Sequence, residues 1–259
     1  MAKRRATSSE RKGGLGKSGG PAKLVMVGVA GVVIAIVAFA ALSQGAGSTK
    51  PSASSESTNP AAIIQQILTP TTPNAYALQT RTTSGDPKVT IVEFGDYQCN
   101  SCGIFHKNTQ DQVISDLVNT GKAKFMFKDF NINDYVYKPT MGSTMASEAA
   151  YCAGDQGKFW AYHDQLYNIQ KPEGTEWISE SLLKQVASDV GVQNIDQFTS
   201  CLDSQKYISA VQTNHSLADQ LGLDATPTFV VLADGKQPVK LVGAQPYSSF
   251  ESVVNSMSS

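Results

Sequence analysis

From residue 88 onward, short β-branched runs alternate with longer stretches whose apolar side chains return every three or four positions. Lys88-Val-Thr-Ile-Val-Glu-Phe94 is a nearly unbroken apolar run ended by Gly95, which predicts a mostly buried strand. After it, Ile104, Phe105, Val113, Ile114, Leu117 and Val118 recur at helical spacing up to Gly121, and Lys124-Phe-Met-Phe-Lys-Asp-Phe130 reads as a second strand. These elements make a β-α-β unit. Near the C-terminus, Pro227-Thr-Phe-Val-Val-Leu232, a turn at Ala233-Asp-Gly-Lys236 and Pro238-Val-Lys-Leu-Val242 predict a hairpin, followed by a helix from Tyr247 to Met257. Residues 141–222 between the two units show helical periodicity instead, over Met145–Leu166, Glu180–Val190 and Ile208–Leu221. The pattern is an α/β frame with a helical block inserted in its middle, and it contains no internal repeat.

Upstream, the pattern changes character twice. Residues 24–42, LVMVGVAGVVIAIVAFAAL, carry no charged or strongly polar side chain. As a helix this segment reaches about 28 Å, close to the roughly 30 Å hydrocarbon thickness of a bilayer. The rival reading is a cleavable signal peptide, since Ala38-Phe-Ala40 resembles a small-residue cleavage site, but the apolar run exceeds the usual length of about 7–15 residues. A retained anchor is the preferred expectation. Residues 43–87 are rich in Ser, Thr, Pro and Gly and predict a flexible linker, interrupted by the apolar island Ala61-Ala-Ile-Ile-Gln-Gln-Ile-Leu68, which suits a short helix.

Charge adds orientation. Of the chain's 21 basic and 22 acidic side chains, seven and one fall in residues 1–23, leaving 14 and 21 for the remainder, a net charge of −7. A basic tail before the span, with none comparable after it, places the N-terminus in the cytoplasm and residues 43–259 outside. An acidic main domain argues against nucleic-acid binding.

Candidate chemistry lies at the first strand-helix junction, Glu93-Phe-Gly-Asp-Tyr-Gln-Cys99-Asn-Ser-Cys102-Gly-Ile-Phe-His106. Cys-X-X-Cys serves zinc sites and thiol-disulfide exchange alike. At a helix start, unpaired N–H groups and the helix dipole favour a thiolate, the attacking species in disulfide exchange. Cys99 occupies that place and Cys102 stands one turn inward, as a resolving thiol would. A permanent bridge across two residues closes too small a loop to stabilise much. The metal alternative, Cys99, Cys102 and His106, lacks a marked fourth ligand, because His163 and His215 lie in helical segments with nothing to single them out.

Three stretches in this order, Val92-Glu-Phe-Gly-Asp-Tyr-Gln-Cys99-Asn-Ser-Cys102, Ala150-Tyr-Cys-Ala-Gly-Asp-Gln-Gly-Lys-Phe-Trp160 and Ala225-Thr-Pro-Thr-Phe229, resemble the DsbA-like thiol-disulfide oxidoreductases over residues 88–258. The resemblance implies a thioredoxin fold, β-α-β plus β-β-α, with a helical insertion at about 141–222. It implies that Pro227 is cis and lies against the cysteines, that the Thr226 backbone holds a substrate strand beside Cys99, and that Glu93 manages the proton of Cys102. Lys128 on the next strand is a candidate partner for Glu93. It further implies a structural disulfide between Cys152 and Cys201, the remaining two cysteines; two buried free thiols are the alternative. Asp96 and Tyr97 are expected to shape the turn before Cys99. The dipeptide Asn100-Ser101 departs from the Pro-His of many strong oxidants in the family, so a milder oxidant is expected.

The expected function is a membrane-tethered disulfide oxidoreductase acting on unfolded or partly folded exported proteins with cysteines. By resemblance, a quinone-linked membrane thiol oxidase would re-oxidise it. A reductase or isomerase, a thioredoxin-fold copper or other metal assembly factor, and a binding module without turnover are the competing readings. No nucleotide, flavin or phosphate motif is present, and no cofactor is expected. The orientation is testable: protease added to intact cells or spheroplasts should degrade residues 88–259 and spare the N-terminus, whereas protection of that domain until lysis would reverse the topology.

Overall fold

The computed structural model describes residues 60–69, 80–81, 87–136 and 141–258. The basic tail expected at 1–23 and the anchor expected at 24–42 lie outside the described residues. Among the described residues no helix is long and apolar enough to cross a membrane.

Helix α1 (Pro60–Leu68) is followed by strand β1 (Thr80–Arg81) and then by β2 (Val89–Gly95), every residue of which is buried. A continuous helical stretch, α2, spans 100–118: it is α-helical over Asn100–Phe105 and Asp111–Val113 and widens into π-helix over His106–Gln110 and Ile114–Val118. Strand β3 (Ala123–Asp129) runs parallel to β2, and β4 (Thr228–Ala233) runs antiparallel on its other side, followed by β5 (Val239–Val242). With β1 antiparallel on β3, the five-stranded order is β1-β3-β2-β4-β5. The most buried strand, β2, is therefore the one that delivers the cysteines.

Alternation along β2 divides the two faces. Val89 and Ile91 join Phe105, Val113 and Leu117 of α2 and Phe250 and Val254 of the C-terminal helix in one apolar cluster. Val92 and Phe94 face the other way, into a cluster with Met126, Leu217 and Ile67. Ile67 places α1 against the domain: the apolar island expected to suit a short helix forms one and finds sheet surface to bury, while the strand β1 within the expected linker 43–87 was not foreseen.

The insertion comprises α3 (Asn133–Val136), α4 (Gly142–Gly154), α5 (Phe159–Asn168), α6 (Glu180–Asp189), α7 (Ile195–Asp203) and α8 (Ile208–Gln220), and α9 (Tyr247–Ser258) closes the fold. The single helix expected over Met145–Leu166 is two. Gly157 adopts φ +71°, a left-handed conformation that favours glycine, and the Lys158 N–H closes back on the Ala153 carbonyl at 3.0 Å, ending α4. Helix α7 was not expected. Its signal is nonetheless present: Asn194 accepts from the Gln197 N–H at 2.9 Å as an N-cap, and Ile195, Phe198 and Leu202 follow at helical spacing.

Cys152 of α4 and Cys201 of α7 are disulfide-bonded, 49 residues apart in sequence. Constraint of the unfolded chain by a loop of this size is worth about 4 kcal/mol. The double variant Cys152→Ser/Cys201→Ser should therefore lose stability of that order in denaturant melts while still alkylating at Cys99. Peptide mapping without reductant should recover a linked 152/201 pair.

Candidate active site

Gly95 ends β2, and the chain turns into α2 through Asp96, Tyr97, Gln98 and Cys99. Asp96 and Tyr97 are fully buried, and a knot of hydrogen bonds around Asp96 shapes this turn. Its Oδ1 accepts from the Gln98 N–H at 2.8 Å and from the Ser143 hydroxyl at 2.7 Å, and its Oδ2 accepts from the Asn133 N–H at 2.9 Å. Burial pushes the Asp96 carboxyl up to about 7, against these three donors, which favour the charged form. The Cys99 N–H meets the Asp96 carbonyl at 3.1 Å and leaves Cys99 as the N-cap residue of α2, with extended φ and ψ of −77° and 121°.

Ser143 again and Gln170, both from the insertion, hold the junction further. Gln98 Nε2 donates to Ser143 Oγ at 2.9 Å, while Gln170 Nε2 donates to the Tyr97 and Cys99 carbonyls at 2.8 and 2.9 Å. Gly103 makes room for Gln170: a Cβ there would stand 2.0 Å from Gln170 Oε1.

Both cysteines are free thiols, but their surroundings push them apart. Hydrogen bonding from the Cys102 side chain pulls the Cys99 thiol down to about 6, against burial and against the negative charge of Glu173. Burial pushes Cys102 well above the usual thiol range, with the hydrogen bond to Cys99 and the charges of Cys99 and Glu93 adding to it. The outer sulfur is therefore the one ionised near neutrality, and the inner thiol serves as its donor. The Thr226-Pro227 peptide bond is cis, and Cys99 Sγ donates to the Thr226 carbonyl at 3.3 Å. Residues 127 positions apart in sequence thus meet at the reactive atom.

Glu93 is buried on the face of β2 that α2 covers, aligned with Phe127 of β3. Lys128 is not its partner. Register places Lys128 opposite Phe94, on the other face, where its Nζ donates to Asn214 Oδ1 at 3.3 Å. The expectation assumed neighbouring strands alone; the parallel register puts adjacent positions on opposite faces. Burial draws the Lys128 ammonium down to about 8.

His106 also leaves the cysteine set. It stacks on Tyr167 at 5.1 Å between ring centroids and gathers with His163 and Asp164, whose ligating atoms and its own lie within 4.8 Å of one another. Tyr97 OH bonds His163 Nδ1 at 3.0 Å and Gln110 donates to Asp164 Oδ1 at 3.2 Å. Among the described residues, then, the histidine forms no metal group with Cys99 and Cys102. Ile104, expected in the apolar stripe of α2, is 51% exposed, because it lies outside the face on which Phe105, Val113 and Leu117 join the core.

Sequence reasoning missed Gln98, Asn133, Ser143, Gln170 and Glu173. Each is a polar residue in or beside a loop, with no periodicity or spacing that ties it to Cys99.

The thioredoxin family model matches residues 79–254. Disulfide bond formation protein D of Bacillus subtilis is 30% identical over 146 residues, which cover 56% of this chain and 64% of the relative, so the chain spans a little under two thirds of that protein's length. The crystal structure of oxidised BdbD from Bacillus subtilis superposes with a TM-score of 0.59 at 24% identity, covering 70% of this chain and 94% of the other. The α-DsbA1 structure from Wolbachia pipientis gives 0.59 at 19% identity, covering 75% and 96%. At these identities the two structures establish a shared fold.

The assignment of the two thiols is testable by alkylation. In the reduced protein, Cys99 modification by iodoacetamide should rise with pH through a midpoint near 6 and level off above it, while Cys102 stays unmodified across that range. A midpoint at about 8.5, the free-cysteine value, would remove the electrostatic account.

Proposed function

The chain belongs to the thioredoxin family, and on that premise we propose that it is a DsbA-like, membrane-tethered thiol-disulfide oxidoreductase that makes or rearranges disulfides in exported proteins by cycling Cys99 and Cys102. The observation that carries the reading is the divided pair: an outer sulfur pulled down to about 6 beside a cis-proline turn, backed by an inner thiol pushed up by burial.

In the oxidising direction, a substrate thiolate attacks Cys99 Sγ of the Cys99–Cys102 disulfide. The new bond joins substrate sulfur to Cys99, and Cys102 leaves with the electron pair and takes up a proton, as its raised pKa requires. Glu93 lies in the same buried pocket and is the group assigned to deliver that proton. A second substrate thiolate then attacks the first substrate sulfur, and Cys99 departs as a thiolate stabilised by Cys102. The substrate has lost two electrons and the cysteine pair has gained them, so each turnover requires re-oxidation, assigned here to a quinone-linked membrane thiol oxidase. In rearrangement, the Cys99 thiolate attacks a substrate disulfide first and no net oxidant is consumed.

The Thr226 carbonyl beside Cys99 Sγ offers an extended substrate a main-chain acceptor. Exposed apolar side chains on the surrounding elements, Ile104, Val136, Met141 and Val242, suit unfolded polypeptide. The apolar span at 24–42 and its basic flank support tethering with the catalytic domain outside.

Trapping tests the roles. Cys102→Ser leaves an attacking sulfur that cannot clear its adducts, so mixed disulfides with exported proteins should accumulate through Cys99. Cys99→Ser should abolish both adducts and the refolding of reduced ribonuclease. Adducts formed through Cys102 instead would invert the assignment.

A further inference from the structure

The dipeptide between the cysteines carries no charge, yet a charge stands on it from elsewhere. Helix α5 ends at Asn168, and the loop to α6 turns sharply at Pro172-Glu-Gly-Thr175, where Gly174 takes φ +79° and the Thr175 N–H returns to the Pro172 carbonyl at 3.3 Å. That turn presents Glu173 to Asn100 in both directions. Glu173 Oε2 accepts from the Asn100 main-chain N–H at 3.0 Å, and the Glu173 main-chain N–H donates to Asn100 Oδ1 at 3.1 Å. A third tie comes from Asn133. With its amide turned so that both ends are satisfied, its nitrogen donates to Glu173 Oε1 at 3.2 Å and its oxygen accepts from the Cys99 N–H at 3.0 Å. The carboxylate is thus pinned to the first N–H after Cys99, where a thiolate would otherwise draw on the positive end of the helix.

We propose that Glu173 is a positioning residue that sets the redox poise of the Cys99–Cys102 pair, its carboxylate opposing the Cys99 thiolate and so making the disulfide a milder oxidant. The inference rests on the redox reading of the pair and deepens it: the poise is written partly in the inserted loop, not only in the two residues between the cysteines. The sign follows from electrostatics. A negative charge beside Cys99 disfavours its thiolate, which is the direction Glu173 exerts on that thiol. A less stable thiolate means a less stable reduced pair and a disulfide that accepts electrons less readily. Asp96 and Cys102 also face Cys99, but both stay unchanged when Glu173 is replaced.

The test uses Glu173→Gln, which removes the charge and keeps an acceptor for the Asn100 N–H, while the Asn133 amide loses its acceptor at Oε1. Two readouts are independent of any protein substrate: the pH midpoint of Cys99 alkylation, and the equilibrium in which two glutathione molecules reduce the pair to the dithiol and leave as glutathione disulfide. One charge at a solvent-accessible helix start is worth about a two- to fivefold change in such an equilibrium. In Glu173→Gln the alkylation midpoint should fall by about 0.3 to 0.7 pH units. Reduction by glutathione should become about two- to fivefold more favourable, which at about 29.6 mV per tenfold is roughly 10 to 20 mV. The difference from wild type should shrink in about 1 M salt. Glu173→Ala, which removes charge and hydrogen bond together, should shift both readouts in the same direction. Unchanged values in Glu173→Gln, or a shift confined to Glu173→Ala, would show that the contact only holds the loop and would overturn the proposal. If wild-type Cys99–Cys102 does not equilibrate with glutathione at all, the redox reading itself fails; normal cycling with an unresponsive Glu173→Gln removes this inference alone.

Discussion

Three separate pieces of chain converge on the carboxylate of Asp96: the turn that leads to Cys99, the segment that opens the insertion at Asn133, and the start of α4 at Ser143. Each is a donor that would be costly to bury unpaired, and the carboxylate would be costly to bury without them. The strand-helix junction and the docked insertion are therefore held by one carboxylate. Tyr97, Cys99 and Cys102 accordingly belong to the same apolar cluster as Ala150, Tyr162 and Phe198 of the inserted helices. The helical block is part of the active site's wall.

That coupling explains how two thiols three residues apart acquire opposite tendencies. Cys102 is sealed under the insertion against Glu93, with Tyr167 close enough to register its charge. Cys99 remains at the rim, where the Cys102 side chain and the Thr226 carbonyl reach it and the Pro172–Thr175 turn closes over Asn100. The middle strands deliver the sulfur, the β-β-α half delivers the cis-proline turn, and the insertion sets the electrostatics. A thiol near 6 lies between the strongest oxidants of the family, at about 3.5, and thioredoxin, at about 7.

The core arrangement also accounts for the unexpected placements of Lys128 and His106. Lys128 is adjacent in register to Phe94 and not to Glu93, and it belongs to a buried polar group in which Asn214 joins it to Asp129 and Tyr151. His106 sits where α2 widens into π-helix and faces α5, where Tyr167 and His163 receive it. Neighbouring strands suggested a tie between Lys128 and Glu93, and spacing alone offered His106 to the cysteines as the metal alternative. Strand register and helix width decided otherwise.

Local pattern was sufficient for the strands at 89–95, 123–129 and 228–233, for the helices at 180–189 and 208–220, and for the place of the Cys-X-X-Cys pair at the strand-helix junction, because burial periodicity and a cysteine spacing are properties of a few consecutive residues. Capping chemistry at Asn194 and the left-handed Gly157 were equally local signals for α7 and for the break before α5. What no short window of sequence contains is the set of groups that act on Cys99 from afar: Asp96 tied to Ser143 across 47 positions, Gln170 and Glu173 reaching back some 70, and Thr226 reaching back 127. A hydrogen bond constrains only the atoms that form it and leaves no periodic trace along the chain, so these partners exist only once the insertion has packed against the sheet.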